Sequence, residues 1–354
     1  MKDQEILIIG QGLTGTILSY LLYKQGIEHK VLDNNHKNAA TLAAAGIINP
    51  ITGRRYVKSW MIDSLIPAAK LFYGDIQDFL KIDILRETSI IRALNNPGQE
   101  HNWINSIDRP DYDVYAEENG SLRGYQDFVR EKDSYGIIKQ ALQVDIAKMI
   151  CSYKDFLNST GNLITGEFDF NVIDLDQPTI KFEEFNFKKV VFCEGYRVIE
   201  NPLFNHIPFE HSKGESFTLQ IDGLETREIL RDDIFLVPLG KNQFWCGGGY
   251  EWIYENDQPT LRFKKSWTAK IDDLLKVPYK MSDQKAGIRS TVVDRRPILG
   301  NHPDFNNIYL FNGMGTKGTS LSPYWAEKLL EFMLEGKPLD KEVDVNRFER
   351  KEKA

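Results

Sequence analysis

The first 33 residues alternate apolar and glycine-rich stretches in a regular order. Residues 5–9 form a short apolar run that ends at Gly10, which is typical of a strand buried on both faces. Apolar residues recur at helical spacing over residues 16–25, and Gly26 follows as a helix terminator. Residues 30–33 then indicate a second strand, which closes with Asp33. Residues 5–33 are therefore predicted to form a complete βαβ unit.

In the rest of the chain the pattern is less regular, but it still predicts three helices and two strands that are followed by glycine-containing turns. Helical periodicity is strongest in three stretches, and two short apolar runs end at glycine-containing turns. The helices are predicted at residues 60–82, 137–157 and 322–335, and the strands at 188–193 and 308–311.

Two further regions predict a second domain with an antiparallel sheet. Residues 86–135 are rich in Asn, Asp, Gly and Tyr and contain short β-like pieces. Residues 213–283 contain strand-like runs that are repeatedly broken by turn residues. The fold class is therefore expected to be α/β, with a Rossmann-type domain interrupted by an α+β domain.

Composition narrows the possible classes of protein. The chain has 354 residues, and 44 Lys+Arg against 51 Asp+Glu give a net charge of −7, which excludes a simple basic nucleic-acid binder. No apolar run is long enough for a membrane span and no signal peptide is evident, so a cytoplasmic protein is expected. Three scattered cysteines and six scattered histidines indicate neither a disulfide framework nor a metal site.

The turn between the first strand and the first helix carries a dinucleotide-binding signature. Its sequence is Gly10-Gln11-Gly12-Leu13-Thr14-Gly15. The first glycine permits the tight turn, the second lets backbone approach a pyrophosphate at the helix N-terminus, and the third lets helix and strand pack closely. The acid Asp33, 18 residues beyond the last glycine, is expected to accept from ribose hydroxyls. The unit suits NAD or FAD, and its N-terminal position together with a second glycine-rich turn at residues 313–318 favours FAD.

Six motifs in the same order resemble the D-amino-acid oxidase family of FAD-dependent oxidoreductases. Within that family, glycine oxidases and the FAD domain of a bifunctional tRNA wobble-uridine modification enzyme are the most similar in these motifs. Besides the βαβ unit, the motifs are residues 43–48, 213–215, 247–251, 287–300 and 313–318.

The resemblance implies how the domains divide and which residues meet the cofactor. The FAD-binding domain would comprise residues 1–85, 136–212 and 284–354, and the substrate domain residues 86–135 and 213–283. The implied contacts to noncovalent FAD are Gly10, Gln11, Gly12, Leu13, Thr14, Gly15, Asp33, Asn34, Ala45, Gly46, Ile47, Phe168, Gly195, Gly313, Met314, Gly315, Thr316, Lys317 and Gly318.

The resemblance also implies the chemistry, which is hydride transfer from an amine-bearing carbon to flavin N5, followed by imine hydrolysis. Arg289 occupies the family's carboxylate-binding position, although pairing with Asp294 is the alternative. Tyr250 and Lys317 are further catalytic candidates. In the glycine-oxidase branch a second arginine stands where this chain has Thr316, so the substrate contacts of that branch do not transfer whole.

The expected function is oxidation of the C–N bond of an amino acid or N-substituted amino acid, with oxygen or an unknown compound as electron acceptor. Two alternatives stay open. One is removal of a carboxymethyl group from a modified tRNA uridine, against which the charge of −7 and the scarcity of paired cations argue. The other is a non-catalytic FAD-binding module.

Overall fold

The chain folds around two large sheets, described here from a computed structural model for residues 2–172 and 179–348. The strands, in chain order, are β1 (Lys2–Ile9), β2 (His29–Asp33), β3 (Ile47–Ile48), β4 (Ile51–Thr52), β5 (Val57–Lys58), β6 (Leu85–Leu94), β7 (Ala116–Glu117), β8 (Ser134–Val144), β9 (Leu163–Thr165), β10 (Ile180–Phe182), β11 (Phe185–Phe192), β12 (Ser212–Gln220), β13 (Ile229–Arg231), β14 (Phe235–Gly240), β15 (Gln243–Gly247), β16 (Lys280–Arg289), β17 (Ile298–Asn301) and β18 (Ile308–Asn312). The helices are α1 (Leu13–Lys24), α2 (Ala40–Ala43), α3 (Ile62–Leu80), α4 (Pro97–Ile107), α5 (Ile146–Ser159), α6 (Leu261–Leu274) and α7 (Gly318–Glu335).

The first sheet is the Rossmann-type sheet, with the order β17-β18-β11-β1-β2-β9. Its five strands from β18 to β9 run parallel, while β17 and β10 are antiparallel additions. Ile6 to Ile9 of β1 are buried because helices cover both faces of a central parallel strand. The predicted βαβ unit is confirmed by the parallel pairing of β1 with β2 around α1.

The second sheet has the order β16-β12-β15-β14-β13-β6-β8-β3 and is antiparallel, apart from the parallel pair β13 and β6. One face packs on α6, whose apolar residues Phe263, Trp267 and Ile271 recur at helical spacing. The predicted combination of a Rossmann-type domain with an antiparallel substrate-type sheet is therefore confirmed as the fold class.

The predicted helix at residues 137–157 is wrong in its first part. Residues 134–144 form β8 of the second sheet, and α5 begins only at Ile146, where Asp145 caps it by accepting from the Lys148 N–H. The apolar run of β8 contains β-branched residues whose long-range pairing with β6 overrides helical periodicity. Because β8 lies in the second sheet, the predicted domain boundary at 136 falls inside a strand, and the exact boundaries stay a prediction.

Helix α4 interrupts a region that was expected to contain only short β-like pieces. Asn96 accepts from the Gln99 N–H at 2.9 Å, and Pro97 occupies the first helical position. This Asn-Pro pair is a helix-start signal that was present in the sequence. Within the described ranges, no helix combines the length and the apolar character needed to cross a membrane.

Candidate active site

The glycines at the end of β1 form a close turn against the neighbouring strands. Gly10 has φ +100°, and its N–H donates to Leu32 O at 2.8 Å. A Cβ on Gly10 would lie 2.7 Å from Cys193 O, and one on Gly15 would lie 1.9 Å from Gly10 O. Both glycines are therefore required by the protein's own packing, as the dinucleotide signature predicts.

Gly12 differs from its neighbours because nothing in the protein crowds it. A Cβ there would meet Thr41 Oγ1 at 3.7 Å, an ordinary contact, and its φ of −74° suits any residue. Gly12 is the N-cap of α1 and supplies no side-chain cap to the first turn. An uncapped helix N-terminus that backbone can approach closely is suited to the pyrophosphate of FAD.

Asp33, at the end of β2, is held by two backbone N–H groups. Its oxygens accept from Gln11 at 2.9 Å and from Asn35 at 2.9 Å, and Lys154 Nζ lies 3.4 Å from Oδ1. The carboxylate thus fixes the glycine-rich turn to the second strand. Since each carboxylate oxygen can accept more than one hydrogen bond, the predicted ribose contact remains compatible with this geometry. Neighbouring Asn34 donates to Glu167 Oε1 at 3.3 Å.

The loop before β3 presents a surface of small apolar residues. Gly46 has φ +67°, and a Cβ there would lie 1.8 Å from Val144 O, so only glycine fits. Ala43 O accepts from Trp245 Nε1 and from Ser216 Oγ, each at 3.0 Å, which ties this loop to the second sheet. Ala45 and Ile47 are half-buried, and their contact with the flavin stays a prediction.

The second glycine-rich turn joins both sheets to the N-terminus of α7. Gly313 and Gly315 have positive φ, and the Gly315 N–H donates to Ser290 O at 2.7 Å. Asn312 Nδ2 donates to Gly195 O at 2.9 Å, which links this turn to the end of β11. A Cβ on Gly318 would lie 3.1 Å from Leu13, so the N-terminal ends of α7 and α1 are adjacent.

The remaining predicted cofactor positions lie around this centre. Met314 is half-buried and forms an isolated bridge with Thr291, whereas Thr316 is exposed. Phe168 packs in an aromatic cluster, with its ring centroid 5.5 Å from that of Phe192. These residues, with Thr14 whose side chain bonds the Cys193 thiol, stay predicted FAD contacts.

Arg289, at the end of β16, is a largely buried cation that has no carboxylate partner among the described residues. Its Nη1 donates to Gly249 O at 3.1 Å, and its Cζ lies 4.9 Å from the ring centroid of Tyr250. Burial lowers the pKa of Arg289, and among the described residues no carboxylate lies within 4 Å of it. The alternative partner Asp294 binds Arg347 instead, at 2.8 Å. The structure therefore does not support the pairing with Asp294.

Gly214 makes room for this guanidinium. A Cβ on Gly214 would lie 1.9 Å from Arg289 Nη2. The flanking residues Lys213 and Glu215 are fully buried and form an ion pair at 3.4 Å. Glu215 also accepts from Thr260 and Gln284. The motif at residues 213–215 thus shapes the guanidinium site and anchors the loop that carries Tyr250, a role that sequence reasoning missed.

Glu194 is a second residue that sequence reasoning missed. It follows β11 directly, and its side chain is partly buried and accepts from Asn201 Nδ2 at 2.8 Å. Burial raises the pKa of Glu194 to about 7, with nearby Arg197 opposing the rise and Glu200 adding to it. No sequence pattern distinguished this carboxyl from an exposed one.

The Glu194→Gln variant is expected to remove a pH dependence of stability. Between pH 4.5, its ordinary pKa, and about 7, the unfolded carboxyl loses its proton while the folded one keeps it. Stability therefore falls as pH rises through this window, by on the order of 3 kcal/mol. Thermal unfolding of the wild type and of Glu194→Gln at pH 5 and pH 8 measures the difference. Glu225→Gln is the exposed control, and an equal pH dependence in wild type and Glu194→Gln would contradict the assignment.

Comparison with known proteins places this geometry in one family. Residues 5–331 match the family described as FAD dependent oxidoreductase (DAO). A glycine oxidase of Bacillus licheniformis is 24% identical over 99% of this chain and 98% of its own length.

Solved structures show the same fold. Glycine oxidase from Geobacillus kaustophilus has a TM-score of 0.80 at 15% identity, with both chains fully covered. Iminodiacetate oxidase from Chelativorans sp. has a TM-score of 0.75 at 19% identity, covering 97% of this chain and 98% of its own. Because the family match extends over most of the sequence, this chain belongs to the DAO family of FAD-dependent oxidoreductases.

Proposed function

We propose that this enzyme oxidises the C–N bond of an amino acid or N-substituted amino acid whose carboxylate binds Arg289. The observation that supports this most is the largely buried guanidinium of Arg289, which no carboxylate contacts among the described residues. A buried unpaired cation is costly, and a ligand carboxylate that accepts two parallel N–H bonds offsets that cost. FAD, when bound, supplies the hydride acceptor for this reaction.

The chain's own residues would bind and orient the substrate. Arg289 Nη1 is held by Gly249 O, which leaves the remaining guanidinium N–H groups for a ligand. Tyr250 lies against the guanidinium, and its side chain is about half exposed, so it is suited to border the substrate entrance. Trp245, which bonds Ala43 O, fixes the loop at residues 43–48 against the sheet that carries Arg289. These contacts give one rigid frame for the substrate carboxylate and for the loop expected along the flavin.

The direct test is reduction of the bound flavin without oxygen. The purified protein should be yellow, acid precipitation should release its FAD, and an amino acid or secondary amine with a carboxylate should bleach the absorbance. Matching amines without a carboxylate serve as the control and should react far more slowly. A flavin that no carboxylate-bearing amine reduces would contradict the proposal and favour the non-catalytic module.

A tRNA substrate remains the less favoured alternative. Phosphate contacts require several exposed cations, and Arg54, Arg55 and Arg295 are exposed. Against it stand the net charge of −7 and the partial burial of Arg289 and Lys317. Flavin reduction by modified tRNA but not by free amino acids would reverse this order.

A further inference from the structure

Lys317 is a second largely buried cation in the region of the glycine-rich turn. It is the N-cap residue of α7, and its side chain turns toward Ser59, with Nζ 3.4 Å from Ser59 Oγ. Ser59 is itself buried and donates to Asn49 O at 2.9 Å, just beyond the loop at residues 43–48. The ammonium group is therefore positioned by a hydroxyl that is fixed in place.

No carboxylate neutralises Lys317 within the described part of the chain. Burial lowers the pKa of Lys317, and the neighbouring Arg296 and Arg295 lower it further. The fully buried Lys213 provides the contrast, because it is paired with Glu215 at 3.4 Å. Lys132 is likewise paired, with Asp232 at 3.3 Å. Lys213 and the half-buried Lys132 are thus each paired with an acid, whereas Lys317 has no acid partner among the described residues.

Arg296 adds a second, rigidly held cation beside Lys317. Its Cζ lies 4.3 Å from the ring centroid of Trp60, and Trp60 stacks on Trp325 with centroids 5.8 Å apart. Its Nε also forms a long ion pair, at 3.9 Å, with the exposed Glu342. A guanidinium stacked on an indole keeps its in-plane N–H groups available for an anion.

This cationic group adjoins the strand end that carries Arg289. Ser290, the next residue, accepts from the Gly315 N–H at 2.7 Å, and Thr291 bridges Met314. The backbone therefore connects the two unpaired cations, Arg289 and Lys317, through one short junction. Two cations that lack acid partners among the described residues, on the two sides of one glycine-rich turn, suit a ligand that carries two negative groups.

We propose that Lys317, Ser59 and Arg296 form a second anion subsite of the substrate pocket, and that the substrate is an amine with two carboxylates. This inference rests on the proposed function, because it assumes that Arg289 binds the first carboxylate. The two subsites would select dicarboxylic amines over glycine-like amines, since a missing second carboxylate leaves Lys317 unpaired. The alternative is that the charge of Lys317 stabilises the anionic reduced flavin. The test below separates this role from binding of a second carboxylate.

The test uses the FAD-loaded protein and unreactive carboxylates. Binding of glutarate, adipate and thiodiacetate is compared with binding of butyrate, by titration of the flavin absorbance or by calorimetry. We expect the best dicarboxylate to bind at least about tenfold more tightly than butyrate, as one charge-assisted contact provides. In Lys317→Met this ratio should fall to near unity, and Lys317→Arg should restore much of it. Lys328→Met, a more exposed lysine of α7 that is paired with Glu331, is the matched control and should keep the wild-type ratio.

The outcomes distinguish the subsite from the proposed function. A ratio that Lys317→Met leaves unchanged, or an equal loss for butyrate and dicarboxylates, would overturn the second subsite. Lys317 would then serve the flavin or the fold. Failure of every carboxylate to bind, including butyrate, would instead contradict the role of Arg289. Flavin content is measured for each variant, so that loss of cofactor is not mistaken for loss of the subsite.

Discussion

Replacing Arg289 with leucine is expected to weaken binding of a carboxylate substrate or inhibitor by about 2–5 kcal/mol, because the ligand charge would be left buried and unpaired. FAD content and thermal stability should be retained, since the contacts of Arg289 are one carbonyl and one ring. Anaerobic flavin reduction over a range of substrate concentrations measures the loss. Arg262→Leu is the control, because Arg262 is 82% exposed and binds Glu251 near the same loop.

A second variant tests the same site without removing the charge. Gly214→Ala would introduce a Cβ 1.9 Å from Arg289 Nη2, so the guanidinium would have to move away from its position. We expect a loss of substrate affinity in the same direction as in Arg289→Leu. If Arg289→Leu lost flavin or unfolded while Gly214→Ala remained fully active, Arg289 would be a structural residue and the proposed function would lose its main support.

Gly15→Ala is expected to destabilise the fold, whereas Gly12→Ala is expected to weaken FAD binding. Gly15→Ala places a Cβ 1.9 Å from Gly10 O, so α1 must move away from β1 and the fold loses about 1–3 kcal/mol or more. In Gly12→Ala the added Cβ would lie 3.7 Å from Thr41 Oγ1, which is an ordinary contact, so the substitution should not disturb the fold. A methyl group there would stand where backbone is expected to approach the pyrophosphate, which should weaken FAD binding by about tenfold to a hundredfold.

Thermal unfolding of the apoprotein and titration with FAD separate these two effects. Gly12→Ala should unfold at the wild-type temperature without FAD and should gain less stability on adding it. Gly74→Ala, in α3 with nothing within 4 Å of the added Cβ, is the control and should bind FAD normally. Normal FAD affinity in Gly12→Ala would argue that the pyrophosphate does not cross the N-terminus of α1.

The parts of the fold that could be predicted from sequence are those set by local geometry. Gly10, Gly15 and Asp33 were predicted because a strand, a tight turn and a helix start impose residue types at fixed spacing. The paired roles of Gly214 and Arg289 were not predicted, since they depend on β12 and β16 meeting across 75 positions of sequence, from Gly214 to Arg289. The same holds for β8, whose partner strand β6 decided its conformation.

In the candidate site, too, the residue types could be predicted from sequence, whereas their tertiary contacts could not. Arg289 and Lys317 could be selected from sequence by their resemblance to family positions, but the sequence did not show that both lack an acid partner among the described residues. That Asp294 binds Arg347 and that Glu215 neutralises Lys213 are consequences of tertiary packing. A cation that is paired with a carboxylate is less available to a ligand. Which cations are paired could be read only from the three-dimensional structure.

The order of strands in the parallel sheet has a consequence for how the protein acquires its cofactor during synthesis. β1, near the start of the chain, pairs with β11, and β11 pairs with β18, while Gly318 packs close to Leu13. At about 5–20 residues per second, the ribosome completes β18 on the order of tens of seconds after β2. The edge of β1 stays unpaired until β11 is synthesised, and the edge of β11 then stays unpaired until β18 is synthesised. Because the predicted FAD contacts include residues at the start of α7, we expect stable flavin binding only after α7 has emerged from the ribosome.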